Sequence, residues 1–134
     1  MKFETIVQSA VIGATPDKVY EAYTSPERHS EFTGSRATGS PRVGGRFTAW
    51  DGYISGRFLE LVKGKKIVQE WKTTEWPKGY PPSVVELRLE PKGRGTKLTM
   101  VHMKVPAEQA EKYAEGWADF YWKPLKRYLG AKDD

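Results

Sequence analysis

The hydrophobic pattern of this 134-residue chain changes its period at Pro106, and this change constrains the fold more than any other feature. Upstream of Pro106, short stretches of alternating apolar and polar residues follow one another across turn residues. Downstream, apolar residues recur at steps of three and four positions. A period of two is typical of half-buried strands, and a period near 3.6 is typical of an amphipathic helix. The sequence therefore predicts a run of antiparallel strands followed by one long C-terminal helix.

The strands are predicted from segments of β-branched or alternating residues that end at turns rich in Gly and Pro. The clearest strand covers residues 83–90, where Val85, Leu87 and Leu89 alternate with charged side chains, so one face is expected to be buried and the other exposed to solvent. The other predicted strands cover residues 3–12, 46–50, 53–62, 66–74 and 96–105. Repeated Gly and Pro residues between positions 33 and 45 predict a loop or a ragged strand.

Two short helices are predicted directly after the first strand. Thr15 suits the N-cap of the first helix, and Ser25 suits the N-cap of a second helix over residues 26–32. The long C-terminal helix contains residues 110–128, and Pro124 should bend its last turns because proline has no N–H to donate. The fold class is therefore α+β, with a curved antiparallel sheet wrapped around the long helix in a single domain covering residues 1–134.

Composition narrows the chemistry that the chain can carry. The absence of cysteine excludes disulfides, thiol catalysis and cysteine-bound metal. The net charge is +5, but the 22 basic and 17 acidic residues are interleaved along the sequence, so we expect neither a nucleic-acid nor a membrane partner. The N-terminus lacks the apolar block of a signal peptide, and no segment approaches the ~20 apolar residues of a membrane helix. These features predict a cytoplasmic protein.

Candidate catalytic residues are few. No nucleophile elbow, phosphate-binding loop or metal-ligand spacing occurs, so we expect no cofactor and no metal. His29 has polar neighbours on a short predicted helix and is expected at the surface. His102 shares the buried face of its strand with Leu98 and Met100. It is interpreted as a partly buried histidine bonded to backbone or water, with a polar pocket anchor or a general base as the alternatives.

The aromatic residues, 13% of the chain, suggest a cavity between the sheet and the long helix. For any single ring, ordinary core packing is the alternative. The residues expected to line the cavity are Phe47, Trp71, Val85, Leu87, Leu98, Met100, His102, Trp117 and Tyr121. A second aromatic group, Trp76 and Tyr80, lies in the proline-rich stretch EWPKGYPP. We expect this group to form a rigid tip that either covers the cavity mouth or contacts a partner.

Five motifs together resemble a known family. They are the double glycine before Phe47, the pair Gly52 and Gly56, IVQEW, EWPKGY, and Gly116-Trp117 within EGWADFYWKPLKRYLG. In this order they are similar to the C-terminal domain of the activator of the heat-shock-protein-90 ATPase, a member of the START-like (SRPBCC) superfamily. The resemblance implies a helix-grip fold, with about seven antiparallel strands around a long C-terminal helix and two short helices after the first strand.

Three functions are compatible with these observations. The wider superfamily implies a non-catalytic protein that holds a small hydrophobic ligand, and this is our first hypothesis. The eukaryotic activators imply a second, a protein-interaction module that binds a chaperone and modulates its ATPase. The third is an enzyme of the same fold, a cyclase or hydrolase that uses His102 with a nearby carboxylate.

Overall fold

The computed structural model describes residues 1–130 and contains one seven-stranded antiparallel sheet. The order across the sheet is β1-β7-β6-β5-β4-β3-β2, so each strand pairs with a neighbour in sequence except β1, whose one partner is β7. The strands are β1 (Phe3–Ile12), β2 (Thr38–Gly39), β3 (Arg46–Ala49), β4 (Ile54–Val62), β5 (Lys66–Thr73), β6 (Ser83–Lys92) and β7 (Gly95–Pro106). The short β2 lies in the segment predicted as a loop or ragged strand.

Two short helices connect β1 to β2, and their ends follow from the capping residues. Helix α1 (Pro16–Thr24) begins after Thr15, whose side-chain oxygen accepts from the Lys18 N–H at 3.4 Å. Helix α2 (Pro26–Thr33) begins after Ser25, whose hydroxyl accepts from the Arg28 N–H at 3.3 Å. It ends at Gly34, whose φ of 77° is readily adopted by glycine. Both helices lie where the sequence predicts them.

The C-terminal helix, residues 107–130, is not a uniform α-helix. After the 3₁₀ turn Ala107–Gln109 it continues as α3 (Ala110–Trp117), and wider π-helical turns at Ala118–Trp122 and Lys126–Gly130 flank the short α-helical turn Lys123–Leu125. Pro124 explains the interruption, because its ring occupies the space of an α-helical N–H bond to the carbonyl of Phe120. No helix within residues 1–130 combines the length and hydrophobicity needed to span a bilayer.

The hydrophobic core lies between the inner face of the sheet and the C-terminal helix. Alternate residues of β6 and β7 point into it and are almost completely buried. Gln8 joins the helix to the edge strand β1. Its side chain donates to the Ala114 carbonyl and accepts from the Trp122 indole N–H, both at 2.8 Å. Bonds of this kind contribute about 1 kcal/mol each. They hold the C-terminal helix against β1.

Candidate functional site

A pocket of about 360 Å³ opens between the β3–β4 turn, β5 and the C-terminal helix. Seven of its nine lining residues carry aromatic rings, and none is charged. The lining residues are Trp50, Tyr53, Ile54, Trp71, Tyr113, Gly116, Trp117, Phe120 and Tyr121. Pockets of this size and apolar character are typical of small-molecule sites.

Trp71 on β5 forms the inner wall of this pocket. Its ring lies 5.1 Å from Tyr113 and 5.7 Å from Trp117, measured between centroids. The residue is buried, and its indole Nε1 is the one buried side-chain nitrogen or oxygen within residues 1–130 that has no hydrogen-bond partner. An unsatisfied buried donor costs about 1–3 kcal/mol. A residue of the pocket wall therefore has a buried donor whose bonding capacity the protein itself does not use.

The hydroxyls of two lining tyrosines, Tyr53 and Tyr113, are engaged. The Tyr113 hydroxyl donates to the Gln109 side chain and also bonds Thr73, both at 2.7 Å. The Tyr53 hydroxyl donates to the Glu75 carboxylate, and the Lys112 ammonium reaches the same carboxylate at 3.1 Å. Burial and the Glu75 carboxylate raise the pKa of Tyr53, which remains a neutral donor.

His102 on β7 is fully buried behind Trp71, and both of its ring nitrogens are bonded. Nδ1 accepts from the Trp117 indole N–H at 3.1 Å, so Nε2 carries the proton and donates to the Ser83 hydroxyl at 2.8 Å. Ser83 in turn donates to the Trp71 carbonyl at 2.5 Å. Burial lowers the pKa of His102 to about 3. This neutral imidazole therefore links Trp117 and Ser83 within the core. To act as a general base it would need the Nδ1 lone pair, which already accepts the Trp117 N–H.

His29 is buried, which corrects the expectation of a surface residue. Its Nδ1 donates to the Tyr23 carbonyl at 2.8 Å and its Nε2 accepts from the Tyr121 hydroxyl at 3.0 Å. Burial lowers the pKa of His29 to about 4. The polar neighbours in sequence were misleading because the partner that covers the imidazole lies 92 residues away. Within residues 1–130, no three His, Asp or Glu side chains are placed to hold a metal ion.

The structure divides the nine predicted lining residues into two groups. Trp71, Trp117 and Tyr121 line the pocket. The other six lie in the closed part of the interface: His102 behind Trp71, Phe47 against Phe58 with ring centroids 5.2 Å apart, and Val85, Leu87, Leu98 and Met100 on the inner face of β6 and β7. Face alternation identified the inward residues, but it cannot indicate which part of the interface remains open.

Six lining residues were not anticipated, and the β3–β4 turn supplies two of them, Trp50 and Tyr53. In this turn, Trp50 has a φ of 54° and its neighbour Asp51 has a φ of 56°. A left-handed conformation costs a non-glycine residue on the order of 1–2 kcal/mol, yet it places Trp50 across the pocket mouth against Phe120, at 5.6 Å between centroids. Phe120 is 57% exposed. The remaining unanticipated residues are Ile54, Tyr113 and Gly116. The sequence did contain a signal for Gly116, because it is a glycine among aromatic residues on one predicted helix.

The predicted aromatic tip packs against the protein itself. The Trp76 ring stacks on Tyr113 at 5.9 Å between centroids, and its indole N–H donates to the Pro81 carbonyl at 3.0 Å. Tyr80 lies edge-on to Phe3 at 5.5 Å. Trp76 therefore packs against Tyr113, which lines the pocket, while Tyr80 covers Phe3 at the start of β1.

Comparison with known proteins identifies a family model and curated relatives that match this chain. A family model described as "Activator of Hsp90 ATPase homolog 1-like protein" matches residues 13–130. The human "Activator of 90 kDa heat shock protein ATPase homolog 1" is 32% identical over 116 residues, which cover 87% of this chain and 34% of that protein. The chain thus spans about a third of the length of this curated relative.

Solved structures agree with the family match. The crystal structure of PFC0360w, an HSP90 activator from Plasmodium falciparum, superposes with a TM-score of 0.87 at 27% identity, covering 94% of this chain and 96% of that one. MLL2253 from Mesorhizobium loti gives a TM-score of 0.80 at 26% identity, covering 98% and 99%. The seven-stranded sheet and long helix are the helix-grip fold of these relatives, and the chain belongs to the family of activator of Hsp90 ATPase homolog 1-like proteins.

Proposed function

We propose that this protein is a non-catalytic binding protein that holds a small apolar ligand between the sheet and the C-terminal helix. The observation that carries the proposal is the ring-lined pocket with its unsatisfied Trp71 indole N–H. No charged side chain lines the pocket, so a neutral ligand avoids the desolvation cost of an ion.

The same features suggest the chemistry of the ligand. Edge and face contacts with aromatic side chains favour a ligand that itself carries a ring, by about 0.5–1.5 kcal/mol per pair beyond the area buried. An acceptor oxygen on that ligand would satisfy the Trp71 donor once the indole turns its N–H toward the pocket. A ring system with one carbonyl or ether oxygen fits both requirements.

Gly116 provides a direct test. A Cβ built on this helical glycine meets no atom closer than Phe120 Cδ2 at 4.0 Å, so a larger side chain can enter the pocket without a backbone clash. The neutral dye N-phenyl-1-naphthylamine should increase in fluorescence with the wild-type protein. Gly116→Leu should weaken its binding about tenfold or more, because leucine occupies the ligand volume.

The matched control is Glu115→Leu, which adds the same side chain at a neighbouring exposed position. It should bind the dye like the wild type. Equal binding by all three proteins, or none by the wild type, would contradict the ligand proposal.

A second candidate function is supported by the relatives rather than by the pocket. The human and Plasmodium proteins are named as activators of the Hsp90 ATPase. We therefore also propose that this chain binds an Hsp90 chaperone and modulates its ATPase, a role that would be exercised in the cytoplasm. The ATPase rate of purified Hsp90 should change on titration with the wild-type protein.

Gly116→Leu separates the two functions. If they are independent, this variant should lose dye binding and keep its effect on the ATPase. An unchanged ATPase rate together with undetectable binding by calorimetry would exclude the chaperone function for this chain and leave the ligand proposal intact.

A further inference from the structure

The net charge of the molecule is concentrated at one end of the sheet. Residues 13–18, 60–66 and 88–97 contain eight basic and three acidic residues, which accounts for the whole formal charge of +5. The rest of the chain contains equal numbers of basic and acidic residues. We refer to these three segments as the basic end. They lie far apart along the sequence, so the interleaved charge pattern concealed them.

Specific contacts bring the three segments together. The Thr96 hydroxyl donates to the Ala14 carbonyl at 2.7 Å, which joins the β6–β7 hairpin to the loop before α1. The Leu89 N–H donates to the Lys65 carbonyl at 2.8 Å, which joins the β4–β5 hairpin to β6. A Cβ built on Gly64 would lie 2.2 Å from Asp17 Oδ1, so α1 sits directly on this hairpin. The basic end is therefore a defined surface.

Most of its cations are available to a partner. Six of the eight make no ion pair within residues 1–130, and all six are exposed: Lys18, Lys63, Lys65, Lys92, Arg94 and Lys97. The other two, Lys66 and Arg88, pair with Glu60 and Glu86. Unpaired cations close together repel one another, and a partner carrying negative charge relieves this repulsion.

The composition of the surface indicates which partner it suits. Between the two hairpins and α1 lies an open recess of about 510 Å³, and its lining includes the carboxylates of Asp17 and Glu90 beside Lys63, Lys65 and Arg88. A phosphate backbone would meet those carboxylates unfavourably, whereas a peptide offers N–H donors to them as well as carboxylates to the cations. The basic end contains no aromatic residue, so it lacks the rings that stack on bases or anchor a protein in a bilayer.

We propose that the basic end is a docking surface for an acidic segment of a partner protein. The surface does not overlap the residues of the ring-lined pocket, so the proposal stands independently of ligand binding. Attraction between exposed charges is screened by salt, so the interaction should be strongly dependent on ionic strength.

A fluorescently labelled peptide of about ten glutamates tests this proposal by anisotropy. Wild-type protein should bind it at low salt, and the affinity should fall about tenfold or more between about 20 and about 200 mM NaCl. The variant Lys63→Glu/Lys65→Glu/Arg94→Glu should lose at least about tenfold in affinity at low salt. These side chains are exposed, so circular dichroism and melting temperature should stay close to wild type.

The matched control is Lys2→Glu/Lys72→Glu/Lys78→Glu, which changes the net charge equally at exposed positions outside the basic end. It should keep most of the affinity. An equal loss in both variants would overturn the proposal, because binding would then report net charge alone. Tighter binding of wild-type protein to duplex DNA or to phosphatidylserine vesicles than to the peptide would also overturn it.

Discussion

The interface between the sheet and the C-terminal helix has two regions that are built from similar residues but differ in how completely they are packed. The closed region, around β6 and β7, buries its side chains almost completely and satisfies both nitrogens of His102. The open region, around the β3–β4 turn, leaves a pocket, an unsatisfied indole N–H and an exposed phenyl ring. The closed region stabilises the fold, which allows the open region to retain groups that contribute little to stability.

Acid should destabilise both regions, because each contains one buried neutral histidine: His102 in the closed region, and His29 bonded to the pocket residue Tyr121. Burial lowers the pKa of His102 to about 3 and of His29 to about 4, from 6.5 in the unfolded chain. The unfolded chain therefore binds protons first as pH falls, and the stability that neutral imidazoles provide above pH 6.5 is lost below it. At about 1.4 kcal/mol per pH unit for each histidine, the two together should lower the free energy of unfolding by about 4 kcal/mol at pH 5.

Urea unfolding between pH 7 and pH 5 measures this loss, and NMR titration of the two imidazoles identifies its source. If either ring in the folded protein titrated near 6.5, the attribution to burial would be wrong for that histidine.

Truncation of a side chain in each region should distinguish the two. Leu87→Ala removes a fully buried side chain of the closed region and should cost about 3 kcal/mol in unfolding free energy. Phe120→Ala removes a larger ring at the pocket rim, and the loss should be only about 0.5 kcal/mol because the ring is already mostly exposed. Chemical denaturation of both variants provides the measurement. Similar losses would show that the pocket rim is part of the core.

The open region should also allow a gain in stability. Gly116→Ala places a methyl group where the nearest atom lies 4.0 Å away, and alanine is favoured over glycine in a helix by about 1 kcal/mol. The melting temperature should therefore rise. A fall would mean that the pocket wall at this position is tightly packed, and it would weaken the interpretation of this region as open.

The sequence predicted the elements and their faces well because those depend on local rules. Caps such as Thr15 and Ser25, and the alternation along β6, are local signals. The features it did not predict depend on contacts distant in sequence. His29 is buried by Tyr121, the basic end is assembled from three separate segments, and the left-handed conformation of Trp50 places its ring at the pocket mouth. Residue type alone does not specify any of these.

The pairing of β1 with β7 has a consequence for how the chain acquires its structure. Ile12 lies opposite Thr96, so more than half of the chain separates these partners, and closing so long a loop carries an entropic cost before any contact offsets it. On a ribosome, β1 emerges first but has no strand to pair with until β7 has been made. Hairpins β3–β4 and β4–β5 can form in the meantime, because their turns are short. The strand synthesised first should therefore be the one incorporated into the sheet last.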